Sequence, residues 1–299
     1  MNRDHPFFSV VIPTHGRPTQ LAHCLEALAS LDYPRDRYEV IIVDDGSENP
    51  LDSDVVPFEE RLSLTLLRKP LNVGPAAARN SGAAQSKGDF LAFTDSDCAP
   101  AADWLQRLAE RFAATPECAI GGLIINALEE NVYSVASQLL ITYLYSYYNA
   151  DPDHTQFFTS CNLALPAELF RRINGFDNSF PLAAAEDRDL CDRWLSHGYR
   201  MILAPEAIVY HAHPLTFRTF WRQHFNYGRG AFHFHRMRVA RGREQVRLEP
   251  LRFYLRLLKY PFMEPPPGIP APLISGLMFC SQAANAAGFF WAKMNRTTA

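Results

Sequence analysis

The chain has 299 residues, 47% apolar, 12% aromatic and 20% charged, enough to bury a large core as one sizeable α/β domain or two smaller ones, which excludes a disordered scaffold. Six cysteines (Cys24, Cys98, Cys118, Cys161, Cys191, Cys280) lie scattered without CxxC pairs, and the opening MNRDHPFF lacks the basic-then-apolar order of a signal peptide; a reduced, cytosolic setting without zinc ribbon or disulfide framework is expected. The formal charge of -3 divides unevenly: residues 1–213 carry 16 Lys/Arg against 29 Asp/Glu, a balance of -13, and residues 214–299 carry 13 against 3, a balance of +10. That division fits a metal-using enzyme whose basic tail is drawn to an anionic surface, a membrane or nucleic acid.

In chain order, the run Phe7 to Ile12, ended by Pro13, reads as a buried strand, and Leu21, Leu25 and Leu28 at helical spacing predict a helix capped by Thr19. Strands are expected at Tyr38–Val43, Ser63–Leu67 and Asp89–Phe93, with a helix from Pro75 to Lys87 closed by Gly88. Alternation at this spacing predicts a Rossmann-like, mostly parallel sheet flanked by helices. Beyond it, Trp104–Phe112, Val132–Tyr148 and Glu186–His197 read as helices, and Ala119–Ile125, Phe157–Leu165 and Ile208–Tyr210 as strands. From Phe217 to Tyr260 arginines interleave with aromatics; a Pro-rich link and a charge-free stretch, Leu273–Ala292, follow. The predicted division is a catalytic domain over 1–213, a basic, aromatic-rich helical extension over 214–264, and a link with a hydrophobic membrane-associated helix over 265–299.

Parallel sheets bind ligands beyond the carboxyl ends of their strands, and three strands here end in polar clusters. Asp95-Ser96-Asp97 comes first: two carboxylates flanking one residue can both reach a hard cation such as Mg²⁺ or Mn²⁺, although a solvated acidic turn has the same composition. Asp44-Asp45-Gly46-Ser47 offers acceptors to a base N–H or ribose hydroxyls, or is an ordinary βα turn. Arg79, one turn into its helix, can reach phosphates at the helix start, or belongs to a tightly packed helix. Glu186-Asp187 supplies a carboxylate for general-base work, or merely favours the helix dipole. His211 can complete a metal site begun at Asp97.

Together these pieces resemble the family 2 glycosyltransferases, inverting enzymes of the GT-A fold. The matching segments occur in that family's order: Val10 to Thr14 with Arg17, Val43 to Ser47, Asn72 to Gly82, Asp95-Ser96-Asp97, Ser160 to Ala164, Gly175-Phe176-Asp177, Glu186-Asp187 and His211. The resemblance implies a nucleotide-diphosphate sugar donor held by Pro13, Thr14, Arg17, Asp44, Asp45, Arg79, Asp95 and Ser96. It implies a divalent metal (Mn or Mg) on Asp97, Asp95 and His211. Asn162, Asp177 and Glu186 would shape the acceptor side, and Asp187 would be the general base of a single inverting displacement. Processive members carry QxxRW after this domain; here Gln223 is followed by His224, Phe225, Asn226 and Tyr227, so few additions per encounter are expected.

The tail's arginines (Arg218 to Arg247) and rings suit a lipid interface or a helix packing its aromatics inward. Leu273–Ala292 is about long enough to cross a bilayer, but Ser275, Ser281, Gln282 and Asn285 temper it, so a shallow peripheral helix is expected over a span. The expected acceptor is a glycan or lipid-linked precursor, the expected site the cytoplasmic face of the cell membrane, and nucleic acid is not an expected partner. Two rival functions are weighed. Phe90–Asp97 resembles the DxD strand of haloacid dehalogenase-type phosphatases, which expect Thr where Ala99 stands; a sugar-nucleotide-binding subunit without turnover is the other.

Overall fold

In the computed structural model, which describes residues 5–243 and 249–295, the first apolar run forms β1 (Phe8–Thr14), buried except at Pro13. Pro18 opens α1 (Pro18–Ala29), and β2 (Tyr38–Asp44) is buried throughout. After α2 (Asp52–Val55) come β3 (Leu64–Arg68), α3 (Pro75–Gln85) and β4 (Phe90–Phe93). Next are β5 (Cys98–Pro100), α4 (Trp104–Ala114), β6 (Ala119–Asn126) and α5 (Val132–Tyr148). Then β7 (Leu163–Pro166), α6 (Ala167–Arg172), α7 (Glu186–Ser196) and β8 (Met201–His211) lead into α8 (Phe217–Ala240), α9 (Leu251–Met263) and α10 (Ala271–Met294).

One eight-stranded sheet runs β3-β2-β1-β4-β7-β6-β8-β5. Its first half is parallel: β1 pairs with β2 and β4, and β2 with β3. The second half turns antiparallel at β4–β7, β6–β7 and β5–β8. The expected alternation therefore covers one half of the sheet.

Local differences have physical causes. Thr19 does not cap α1; the cap position is Arg17, with no side-chain cap bond, because Pro18 takes the first helical position, where its missing N–H costs nothing. The strand expected over Phe157–Leu165 shrinks to β7. The buried Asn149 side chain accepts from the amides of Gln156 and Phe157 and donates to the Phe157 carbonyl, so those backbone groups have no need of a ladder. β8 is eleven residues long, far beyond the expected 208–210, its pattern blurred by Pro205 and two alanines.

The chain divides into two units, and not at the expected boundaries. The first comprises residues up to Ile125, Asn149–Pro181 and Asp187–Ala212; the second comprises Asn126–Tyr148, Leu182–Glu186 and the chain from His213 onward. The extension and the terminal helix are thus one body, and α5 joins it. Its core gathers Val135, Leu140 and Tyr143 of α5 with Phe220 of α8, Phe253 and Leu257 of α9, and Ile274 and Met278 of α10. Phe220, Phe232 and Phe234 of the aromatic stretch are buried in this unit, which assigns those rings to packing. Helices α8 and α10 touch backbone to backbone where Gly228 meets Asn285 and Gly288 meets Phe225; any Cβ there would collide. Arg247 and Arg296 lie outside the described residues. All six cysteines are free thiols.

Candidate active site

The carboxyl ends of the parallel strands place the polar clusters side by side. Thr14 ends β1 opposite Asp44 at the end of β2, and Thr94 follows β4, its amide bonded to the Val11 carbonyl. The chain then turns through Asp95-Ser96-Asp97 into β5, where antiparallel pairing sets Cys98 opposite His211 of β8. This pairing brings together residues more than a hundred positions apart. The His211 Nε2 lies 3.3 Å from the Asp97 Oδ1, and the Ala212 amide donates to the Asp97 carbonyl at 2.8 Å.

Both carboxylates of the triplet hold arginines. Arg17 Nη1 donates to Asp97 Oδ2, and Arg79 Nη2 to Asp95 Oδ1, each at 2.6 Å. The two cations differ in setting, because the Arg17 side chain is 44% exposed and that of Arg79 is 3% exposed. Arg79, expected as a phosphate ligand at a helix start, is instead buried against Asp95, its guanidinium 5.5 Å from the centre of the Phe176 ring. Burial alone would depress the His211 imidazole; its bond to Asp97 and that carboxylate's charge outweigh this and raise it to about 9.

The Asp44-Asp45 pair divides its work. Asp45, expected near the nucleoside, accepts from the amides of Val73 and Gly74 at 3.0 and 2.9 Å, so it is a clamp on the turn before α3. That turn needs a glycine, since Gly74 has φ +92° and a Cβ there would come within 2.6 Å of the Pro181 carbonyl oxygen. Asp44 spends Oδ1 on the Ser47 amide, while its buried Oδ2 has no hydrogen-bond partner, only the Arg68 guanidinium 3.8 Å away. Thr14 Oγ1 and Thr94 Oγ1 are likewise buried and unpartnered. Buried polar atoms are almost always satisfied, so these three at the ends of β1, β2 and β4 are available to hydrogen-bond a ligand or water at this edge. Pro13 is half-buried in β1 and Ser96 is buried between the two acidic residues in sequence.

Just before β7, whose Leu163 pairs with Phe93, Asn162 departs from its expected role. It is buried, its Oδ1 accepts from Trp104 Nε1, and its Nδ2 donates to the carbonyls of Leu123 and Ala207. A side chain with these bonds satisfied inside the core fastens three segments and is not an acceptor ligand. Asp177 is half-buried and closes its own turn onto the Ser179 amide. That turn is held by Asn80 of α3, which donates to the Phe176 carbonyl and accepts from the Phe176 amide.

Asp187 is half-buried at the head of α7, its Oδ1 accepting from the Arg188 amide. Glu186 is buried and belongs to the second unit with Leu182–Ala185. Two residues that position this helix carry no signal in the sequence. Asp189 and Arg193 form a buried pair at 2.7 Å, and the remaining Arg193 nitrogens donate to the carbonyls of Ile173 and Gly175. Their i,i+4 spacing inside an otherwise charged helix looks like surface. Ala185, just before Glu186, adopts φ +70°, a left-handed conformation that costs a non-glycine residue energy.

The donors suit a divalent ion. Asp97 supplies a carboxylate oxygen and His211 an imidazole nitrogen 3.3 Å from it, the mixed set that Mn²⁺ and Mg²⁺ sites use with ligand oxygens, whereas Asp95 turns Oδ1 to Arg79 and stands outside that cluster. His213, two residues on, begins the second unit.

Comparison with known proteins agrees with this geometry. The profile of Glycosyl transferase family 2 matches residues 9–173, and that of the N-terminal domain of galactosyltransferase matches 143–214. Over 231 residues, 76% of this chain and 47% of the relative, the sequence is 31% identical to the pre-mycofactocin glycosyltransferase of Mycobacterium tuberculosis. It is 27% identical over 242 residues, 76% of this chain and 56% of the other, to the probable glycosyltransferase YdaM of Bacillus subtilis. The chain spans about half the length of these relatives. Among solved structures, a mannosyltransferase from Pyrobaculum calidifontis in complex with GDP-Man and Mn²⁺ superposes with a TM-score of 0.63 at 20% identity, covering 99% of this chain and 81% of that one. The sheet, its polar carboxyl edge and the profile match over more than half of its length agree: the chain belongs to glycosyl transferase family 2.

Proposed function

We propose that the chain transfers a sugar from a nucleotide-diphosphate sugar to a hydroxyl of a glycan or lipid-linked acceptor, with inversion at the anomeric carbon and few additions per encounter. The observation that carries this reading is the carboxyl edge of the sheet: orphaned Asp44 Oδ2 and Thr14 Oγ1 on one side, the arginine-held Asp95 and Asp97 with His211 on the other. The solved mannosyltransferase with GDP-Man and Mn²⁺ supports the donor class, as does the S. aureus TarS fragment in complex with UDP-GlcNAc, at a TM-score of 0.55.

In this reading Asp44 accepts from the nucleoside. Asp97 and His211, with Asp95, would hold Mn²⁺ or Mg²⁺, which would supply Lewis-acid neutralisation of the departing diphosphate. Arg17, exposed and flexible in reach, adds a guanidinium to the same phosphates, and Arg79 fixes the direction of Asp95. Asp187 accepts the proton of the attacking hydroxyl on the face opposite the leaving group. The phosphatase alternative needs a free Asp95 nucleophile, whereas Asp95 is bound to a buried arginine.

A thermal-shift screen of nucleotide sugars tests the donor site, because a ligand that binds only the native state raises its stability by mass action. One nucleotide sugar should stabilise the parent in a Mn²⁺-dependent way, and Asp97→Ala should lose that dependence. A shift by no nucleotide sugar, with or without metal, would overturn the proposal.

A further inference from the structure

We infer that the outer faces of α9 and α10 form a docking surface for an anionic phospholipid bilayer, on which the second unit lies without crossing it. On α10 the exposed positions recur at helical spacing from Leu273 through Phe279 and Phe290 to Met294. They sweep an arc of about 140° along a helix about 36 Å long. Three of the four residues that temper this segment's hydrophobicity sit elsewhere: Ser281 is buried, Asn285 faces α8 at Gly228, and Ser275 donates to the Leu258 carbonyl of α9; the fourth, Gln282, is half-buried beside the arc and donates to Ser281 Oγ. The exposed arc is therefore apolar from Leu273 to Ala292.

Helix α9 carries the matching charge. Leu251, Leu255 and Phe262 are exposed and fall within about 40° of one another around the helix. Arg252, Arg256 and Lys259, also exposed, form an adjoining stripe. An apolar stripe bordered by cations is the pattern by which a helix lies in the plane of a bilayer, rings and aliphatic chains below the headgroups and cations at the phosphates. The charge complement selects the occupant: a second copy of this chain would set like-charged stripes against each other, and an anionic leaflet neutralises them.

Crossing the bilayer is disfavoured by what α10 packs against. Its inner face is seated on α8 by backbone contact at Gly228 and Gly288, and α8 carries Arg218, Arg222, Arg229 and Arg236. Arg229 itself lies 4.9 Å from the Trp291 ring. A spanning α10 would draw these guanidinium groups into hydrocarbon; a helix lying flat leaves them above the headgroups.

The test is co-sedimentation of the full chain with vesicles of phosphatidylcholine alone and with 30% phosphatidylglycerol. The chain should pellet with the anionic vesicles and release at 1 M salt. Arg252→Glu with Arg256→Glu should lower partitioning at least tenfold, since each basic residue near such a surface counts for roughly fivefold. Phe279→Ser with Phe290→Ser should lower it at low salt too, with an unchanged melting temperature showing that the fold survives. The inference is overturned by equal pelleting with both vesicle types, by partitioning that neither double variant changes, by retention at 1 M salt until detergent is added, or by a lipid-free mass of two chains that falls to one in Phe279→Ser, Phe290→Ser.

Discussion

Two histidines with opposite pKa shifts make the stability of the metal-free protein depend on pH in a definite way. His224 is buried in α8 with its Nε2 3.3 Å from Ser137 Oγ, and burial pushes it down to about 4. The unfolded chain then binds more protons than the native one between about 6.5 and 4, so stability is complete above that window and falls as pH drops through it. His211, raised to about 9, acts in the other direction: its contribution is complete below about 6.5 and fades as pH rises towards 9. Urea unfolding without added metal should show greatest stability near neutrality, with His224→Gln flattening the acid side and His211→Gln the alkaline side. An unchanged acid limb in His224→Gln would contradict the assignment. If, as proposed, a cation binds at His211, it would displace that proton, and Mn²⁺ affinity should rise from pH 7 to pH 9.

Neighbouring residues with similar sequence signatures should separate in their effects. Asp45→Ala removes the partner of two loop amides and should cost about 1–3 kcal/mol of stability. Asp44→Asn keeps an acceptor for the Ser47 amide and should leave stability nearly intact while weakening donor binding at least tenfold, as isothermal titration would show. Equal loss of donor affinity with no loss of stability in Asp45→Ala would contradict the division. Asn162→Ala strands Trp104 Nε1 and two carbonyls, so it should lower the urea midpoint markedly and leave the acceptor KM of the surviving native enzyme unchanged.

Among the elements, β1 and β2 are readable because they are buried on both faces, and α4 because it carries a clear helical period. Three others are not. β5 is three residues long, too short for any period; β8 hides its alternation behind Pro205; and the expected strand before β7 is pre-empted by the Asn149 side chain. The Asp95-Ser96-Asp97 triplet and His211 were legible as types at strand ends, but their meeting depends on the β5–β8 pairing, a long-range fact. The same holds for Asn162, which the resemblance places on the acceptor side although its partners lie in three separate segments. The strained Ala185 leads into α7. Ala185→Gly should relieve that conformation and raise the melting temperature, by up to about 1 kcal/mol in stability; a lowered melting temperature would show that the methyl contact there outweighs the strain.

For the whole molecule, the charge asymmetry of the sequence maps onto two bodies, but the second recruits α5 and Leu182–Glu186 from the acidic part. That recruitment escaped the sequence because α5 is apolar nearly all round and reads as core of any kind. Leu182–Glu186 is packed at Ala184 against Gly230 of α8.

In the proposed mechanism Asp187 takes the proton while the Asp97 cluster holds the donor. This division of roles is tested most directly by comparing donor affinity and single-turnover transfer in Asp187→Asn with the parent, at saturating Mn²⁺ and with an accepting sugar found by screening. The account predicts donor affinity within about threefold of the parent and transfer reduced by at least 10²-fold, as expected for loss of a general base. Transfer at the parental rate in Asp187→Asn would contradict it.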